Sequence, residues 1–241
     1  MRLLALVLLA PFGAGALTAQ EPPPKPFQVA GDVSFVKTGG NTDVTTLGLA
    51  DRIEWKTTPR LTVRQNFRWD YGQNDDVENA NAVIAGLRGD YGLTARLLAF
   101  AGVGYDYNLF AGVKRHFEEY AGLGYQVLDL AGDQLRFDAG VSLNQEWAPL
   151  QTTATDFVAG RLVGDYKHLF SERAYFQQIV EYMPNFDVSA DYRFNTESSL
   201  VAPLTRAIAI KVGYFLRYRG EPPAGFGSTD TVFRTGIQIS N

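Results

Sequence analysis

Apolar and polar side chains alternate one by one along much of the chain after residue 26. The pattern is clearest at residues 207–218 and returns at 61–71 and 134–147. In the first of these segments one side carries Ile208, Ile210, Val212, Tyr214, Leu216 and Tyr218, and the other carries Ala207, Ala209, Lys211, Gly213, Phe215 and Arg217. Because a β-strand directs successive side chains to opposite faces, this period of two predicts strands with one apolar and one polar face.

The same pattern, followed along the whole chain, predicts about twelve strands. They cover residues 27–37, 44–56, 61–71, 81–91, 96–108, 116–128, 134–147, 155–167, 174–182, 191–201, 207–218 and 229–239. Most reach the ~9–11 residues that a tilted strand needs to cross a bilayer, whereas strands of soluble sheets average ~5–6. Aromatic residues stand near the ends of the apolar faces, at Trp69, Tyr71, Tyr105, Tyr107, Trp147, Tyr182, Tyr214 and Tyr218. The predicted fold class is therefore all-β, a closed antiparallel transmembrane β-barrel of about 12 strands with aromatic belts.

Short and long connections alternate between the predicted strands. The short ones are residues 57–59, 92–94, 131–133, 170–172 and 202–205, and the long ones are 72–79, 109–115, 148–154, 183–188 and 219–228. Outer-membrane barrels have short periplasmic turns and longer extracellular loops, so this order places both chain ends on the periplasmic side. The first hairpin, residues 38–42, is an unusually short outer loop in this scheme.

The N-terminus has the pattern of a secretory signal peptide. Arg2 precedes the apolar run Leu3 to Leu9, and small residues follow it. We expect a signal peptide at residues 1–19, a Pro-rich tether at 20–26 and an outer-membrane barrel at 27–241. The apolar run is too short for a membrane-spanning helix, which needs about 20 apolar residues.

The composition excludes several classes of partner and site. The chain has no cysteine, which excludes disulfides and thiolate metal sites. Its net charge is −4, and no group of Lys and Arg is free of acidic neighbours, so nucleic acid is not an expected partner. The expected location is the outer membrane of a Gram-negative cell envelope, with outer-membrane lipid, lipopolysaccharide and the barrel-assembly machinery as partners.

The first hairpin carries a family resemblance. It reads Thr38-Gly39-Gly40-Asn41-Thr42-Asp43, followed by Val44-Thr45-Thr46-Leu47, and it resembles the opening signature of the YdiY-like, salt-induced outer-membrane protein family, a domain of unknown function numbered 481. Later blocks are similar to that family as well, at Gly122-Leu123-Gly124-Tyr125, Tyr182-Met183-Pro184, Gly213-Tyr214-Phe215-Leu216-Arg217-Tyr218, Pro222-Pro223 and Thr229-Asp230-Thr231. The resemblance implies an outer-membrane barrel with no established reaction and a link to salt or osmotic stress. The chain ends Ile239-Ser240-Asn241, without the terminal aromatic residue common in such barrels.

The polar faces of the predicted strands carry charges of both signs. The candidate lumen-lining residues are Arg64, Arg68, Arg88, Arg96, Arg136, Asp138, Glu146, Lys211, Arg217 and Arg234. Charges inside a barrel either line a water-filled path or pair across strands and close it. Both alternatives remain open at this point.

No constellation predicts catalysis, a metal or a cofactor. An outer-membrane lipase would need a Ser nucleophile beside a His, but neither His116 nor His168 is part of a His-x-Ser pairing. We expect both histidines in loops or at the membrane surface. Glu118 and Glu119 are adjacent in a strand and point to opposite faces, and the pair at residues 75–76 belongs to a solvated loop.

The expected function is that of an integral outer-membrane barrel, a small or plugged pore linked to salt or osmotic stress, and not an enzyme. The alternatives are an outer-membrane lipid-modifying enzyme and a soluble periplasmic lipid-binding β-barrel.

Overall fold

A computed structural model describes residues 26–39, 44–74 and 77–240 of the chain. The predicted signal peptide, most of the tether and the tip of the first hairpin lie outside the described residues. So do the acidic pair at residues 75–76 and the last residue.

Twelve strands form one sheet that closes on itself. They are β1 (Phe27–Gly39), β2 (Val44–Lys56), β3 (Leu61–Asn74), β4 (Val77–Gly92), β5 (Leu97–Asn108), β6 (Val113–Asp129), β7 (Asp133–Trp147), β8 (Thr155–Leu169), β9 (Tyr175–Met183), β10 (Arg193–Pro203), β11 (Ile208–Arg219) and β12 (Thr229–Ser240). Each strand pairs antiparallel with its neighbours in sequence, and β1 pairs with β12 from Ala30 opposite Ser240 to Gly39 opposite Thr231. The predicted closed antiparallel barrel is confirmed.

Only one described element besides the strands is regular, a 3-10 turn at Leu109–Ala111 between β5 and β6. The Asn108 side chain accepts a hydrogen bond from the backbone N–H of Ala111, and Gly112 ends the turn with a φ of 79°. Within the described ranges, no helix is long and apolar enough to cross a membrane.

The alternation of side chains holds around the barrel and separates its two surfaces. On β11, Ile208, Ile210 and Tyr214 are exposed on the outer wall, whereas Lys211 reaches the lumen and binds Asp32 of β1 at 2.9 Å. Large exposed apolar side chains cover the outer wall elsewhere, and Leu143 is 56% exposed. The buried apolar core is correspondingly small, so closure of the hydrogen-bonded sheet and the polar lumen carry the fold.

We name the two ends of the barrel by the orientation expected from the sequence: the end with the short turns is the periplasmic end, and the end with the long loops is the extracellular end. Aromatic side chains gather at the extracellular end of the outer wall. The rings of Tyr105 and Phe117 lie 5.0 Å apart, and the Phe117 ring meets the Trp147 ring edge-on at 6.2 Å. Tyr192, in the loop after β9, continues this belt through a contact of 5.6 Å with Tyr218. The hydrogen bond with Tyr218 raises the pKa of Tyr192, since the protonated phenol makes that bond.

Four of the periplasmic turns contain the same hydrogen bond, in which a side-chain hydroxyl accepts a backbone N–H. The side-chain oxygens of Thr58, Thr94, Ser171 and Thr205 accept the backbone N–H of the residue three positions later at 3.0, 2.9, 3.1 and 3.1 Å. Each bond satisfies a backbone donor where a strand begins, as Ser and Thr commonly do in turns.

Candidate functional site: the lumen

The inner face of the barrel is crossed by ion pairs between strands that are not neighbours. Because the two strands of such a pair are not adjacent in the sheet, their side chains meet across the interior of the barrel. The longest step joins Arg217 of β11 to Asp106 of β5 at 2.8 Å. β5 and β11 are six strands apart in either direction around a barrel of twelve, so this pair joins opposite walls.

One chain of charges runs along the periplasmic half of the lumen. Arg64 binds Glu54 at 3.0 Å and also contacts the Asp90 carboxylate. Arg88, on the same strand as Asp90, binds the Asp90 carboxylate at 2.8 Å. The chain of charges thus extends from β3 to β4.

Asp138 of β7 then completes this chain of charges. Arg88 lies 2.7 Å from one Asp138 oxygen, and Arg136 lies 3.2 Å from the other. Only 3% of Asp138 is exposed, so its charge depends on these two guanidinium groups.

Glycines on β6 leave space for the ion pair between Arg88 and Asp138. A Cβ atom at Gly124 would collide with the Asp138 carboxylate, and one at Gly122 would lie 2.6 Å from the Phe100 ring. The Arg88 guanidinium stacks over that ring, 4.0 Å from its centroid. The glycines therefore let a charged pair and an aromatic ring fill the lumen at one level.

A second group of charges lies closer to the extracellular side. Arg161 of β8 binds both oxygens of Glu118 at 2.8 and 2.9 Å and reaches Glu181 at 2.7 Å. Asn195 donates a further hydrogen bond to Glu181 at 2.8 Å. The guanidinium also lies over the Tyr120 ring, 4.4 Å from its centroid, so it is fixed on several sides.

A third group closes the lumen wall below the extracellular loops. Glu146 of β7, only 4% exposed, receives Arg219 of β11 at 2.6 Å and Arg193 of β10 at 2.9 Å. Arg219 also binds Asp191 of the loop after β9 at 2.9 Å. Close by, His116 Nε2 lies 3.0 Å from Asn144 Oδ1.

The wall formed by β1, β3, β11 and β12 is filled in the same way. Arg234 binds Asp70 at 2.7 Å, next to the pair of Lys211 and Asp32. The cavity left among these side chains, which Arg68 and Glu197 also line, measures only about 30 Å3. That is room for about one water molecule.

The extracellular half keeps a larger space, which we call the outer chamber. Its volume is about 260 Å3. Its lining includes Asn66, Tyr120, Asn195, the second group of charges, and Arg193 and Arg219 of the third group. Residues 220–228, between β11 and β12, form its roof, since Pro222, Pro223 and Gly227 border the space.

The roof segment crosses the mouth to the opposite wall. Phe226 and Pro223 lie so close to Gly112 that a Cβ there would be 3.1 and 3.2 Å from their side chains. Gly112 follows β5, on the far side of the barrel from β11. The segment therefore covers the outer chamber from above.

The structure places most of the sequence-predicted residues on the lumen side. Arg64, Arg88, Arg136, Asp138, Glu146, Lys211, Arg217 and Arg234 form the ion pairs described above, and Arg68 lines the small cavity. Arg96 does not belong to the set. It is exposed in the turn before β5, where its backbone N–H binds the Thr94 hydroxyl, because β5 begins one residue later than predicted.

The sequence pattern did not identify several of the residues that line the lumen. Arg161, Glu181, Arg193 and Arg219 are central to the charged groups, and Arg219 lies one residue beyond the predicted strand end. Arg161 was detectable as the one basic residue within the apolar run 157–164.

The two histidines occupy different surfaces. His116 was expected in a loop or at the membrane surface, and this is wrong: it lies buried within β6 and faces the lumen. His168 lies at the periplasmic end of β8, 2.8 Å from Asp133, which also accepts the Tyr166 hydroxyl. In the part of the chain that the structure describes, no cluster of three or more His, Asp or Glu side chains has metal-binding geometry.

Comparison with known proteins supports the fold. The family model described as "Protein of unknown function, DUF481" matches residues 31–240. Among solved structures, the NanC porin is similar with a TM-score of 0.56 and 12% identity, covering 87% of this chain and 98% of that one. The KdgM porin covers the same shares with a TM-score of 0.46 and 13% identity. No curated protein sequence matches the chain. The likeness to the NanC porin concerns the fold alone.

Proposed function

We propose that this chain, which belongs to the DUF481 family of proteins of unknown function, is an integral outer-membrane barrel whose lumen is closed by ion pairs at rest. It would conduct little and serve chiefly as a rigid element of the membrane. The resemblance to salt-induced proteins supports a role under salt or osmotic stress.

The pair of Arg217 and Asp106 carries this proposal. It joins opposite walls of the barrel, so it lies across any path that a solute would follow along the lumen. The other groups mix both signs, with three cations and three carboxylates in the first, one cation and two carboxylates in the second, and two of each in the third. Among the described residues they form no ring of one sign of the kind that gives strong ion selectivity.

Residence in the outer membrane is supported by the contrast between the two surfaces. Exposed apolar side chains cover the outer wall, whereas the charged networks face inward. A soluble lipid-binding barrel has the reverse arrangement, with an apolar interior. Of the described contacts, none joins a histidine to a serine hydroxyl, so nothing in the geometry favours the lipid-modifying alternative.

Single-channel recording of the refolded protein in planar bilayers tests the proposal. The charge-neutral double variant Arg217→Ala/Asp106→Ala removes the crossing pair and should raise conductance above the small or absent current of the wild type. The control Arg60→Ala/Asp156→Ala also removes one charge of each sign, but from exposed positions. Large, stable and strongly ion-selective openings of the wild type would show an open porin and overturn the proposal.

A further inference from the structure

We propose that the outer chamber binds a small, uncharged, polyhydroxylated solute of about monosaccharide size. The inference deepens the proposed function and rests on it, since it names the solute that the closed lumen admits from the extracellular side.

The size of the outer chamber suits a small ligand. Its volume of about 260 Å3 lies just below the ~300–1,000 Å3 of pockets for drug-sized molecules. The roof segment and the crossing pair of Arg217 and Asp106 bound it, so a longer chain does not fit without displacing one of them.

The charges that line the outer chamber cancel. With histidine counted as neutral, the lining holds four guanidinium groups, on Arg161, Arg193, Arg217 and Arg219, and four carboxylates, on Asp106, Glu118, Glu181 and Asp230. Each of the four arginines already binds a carboxylate: Arg161 and Arg217 bind carboxylates of the lining, and Arg193 and Arg219 bind Glu146, which lies behind it. An ion that entered would lose its hydration without gaining a counter-charge, which disfavours anions and cations alike.

The same lining suits neighbouring hydroxyl groups. A guanidinium donates and a carboxylate accepts, so a paired Arg and Glu side by side match a diol, whose hydroxyls both donate and accept. Asn66 and Asn195 add amide groups, and Tyr120 adds a ring beside Arg161. A polyol can replace the hydrogen bonds of water here without bringing a charge.

Three probes of one ring size separate the possibilities. Glucose is uncharged, glucuronate carries one negative charge and glucosamine carries one positive charge at neutral pH. Ligand-observed NMR with the refolded protein in detergent should show glucose binding with a Kd on the order of millimolar and the charged sugars about tenfold weaker. Tighter binding of either charged sugar, or no detectable binding of glucose, would overturn the proposal.

Adjacent residues of β6 offer a matched pair of variants. Glu118→Gln removes a negative charge from the outer chamber and should shift preference about tenfold toward glucuronate over glucosamine. Glu119→Gln makes the same chemical change on the exposed outer wall and should leave all three affinities unchanged. If the two variants behave alike, the outer chamber is not the binding site.

A second variant guards against misfolding of Glu118→Gln. Arg217→Gln removes a positive charge and should shift preference toward glucosamine, in the opposite direction. Gel electrophoresis verifies that each variant is folded, since a folded barrel migrates differently when the sample is not heated. These measurements report binding and not current. A conducting wild type would therefore refute the proposed function without deciding this inference. Failure to bind glucose would refute this inference without deciding the proposed function.

Discussion

Asp138 forms an ion pair with Arg88 at 2.7 Å, although the two residues belong to β7 and β4 with two strands between them. Both side chains are largely buried, so neither charge retains its hydration. The stability of the barrel therefore depends on this contact more than on the exposed pairs at its rim.

Asp138→Asn gives Arg88 and Arg136 a weaker partner, and Asp138→Leu removes that partner, so that Arg88 keeps only its contact with Asp90. We expect Asp138→Leu to lower the free energy of unfolding by about 3–5 kcal/mol. Urea titration of the protein in lipid vesicles measures the change. The exposed Asp156→Leu serves as control and should cost less than about 1 kcal/mol; equal costs at both positions would contradict the dependence on the Arg88 contact.

Adjacent positions of β5 test the two faces of the wall. Val103 is 50% exposed on the outer wall near the middle of the strand, whereas Gly104 borders the outer chamber, where a Cβ would lie 3.5 Å from a Glu118 oxygen. Val103→Arg should cost about 2–4 kcal/mol, and Gly104→Arg should cost less because Glu118 can pair with it. A folding titration that ranks the two in reverse order would invert the faces of β5.

Removal of three inward arginines should open the periplasmic half of the lumen. Arg64→Ala/Arg68→Ala/Arg136→Ala leaves carboxylates without cations, so conductance should rise and favour cations. Bilayer recordings under a salt gradient measure both. Arg60→Ala/Arg96→Ala/Arg206→Ala removes the same charge from exposed turns and should match the wild type; an equal effect of both triples would point to surface charge instead.

Two glycines with positive φ test the roof. Gly112 has a φ of 79° and contacts the roof segment, while Gly225 has a φ of 91° and open space where a Cβ would stand. Alanine strains the backbone at both positions, but only Gly112→Ala should also push Phe226 and Pro223 away. Limited proteolysis of intact vesicles should then cut residues 220–228 faster in Gly112→Ala than in Gly225→Ala, and similar rates would deny the contact.

Cellular location is the last test. The mature chain should pellet with outer membranes, resist carbonate extraction and migrate differently on gels when unheated, because a closed barrel keeps its structure in cold detergent. A variant without residues 1–19 should stay inside the cell. Recovery of the full chain as a monodisperse soluble protein without detergent would refute membrane residence.

Local periodicity was enough to predict the walls of this barrel. Strands such as β2 match their predicted bounds, and Glu118 and Glu119 point to opposite faces as expected, since the period of two is a property of each strand alone. Contacts across the lumen depend instead on strand number, tilt and stagger after closure. For that reason the period predicts that Arg217 and Asp106 face inward, but it does not predict that they pair across the lumen.

The roof was unpredictable for a different reason. Its path depends on Gly112 and Phe226 meeting across the mouth, and they are far apart in the sequence. Residues 219–228 read only as a long loop rich in Gly and Pro. Such a composition permits many paths, and tertiary contacts select one.

The seam between β1 and β12 makes the last strand necessary to the whole sheet. Until the last strand arrives, β1 and β11 each present an unpaired edge, and lipid offers no hydrogen bonds to satisfy it. A nascent protein missing only β12 would thus be unfinished along its entire height, however complete the other strands. In lipid, closure is therefore an all-or-none event, since the sheet has either no free edge or two.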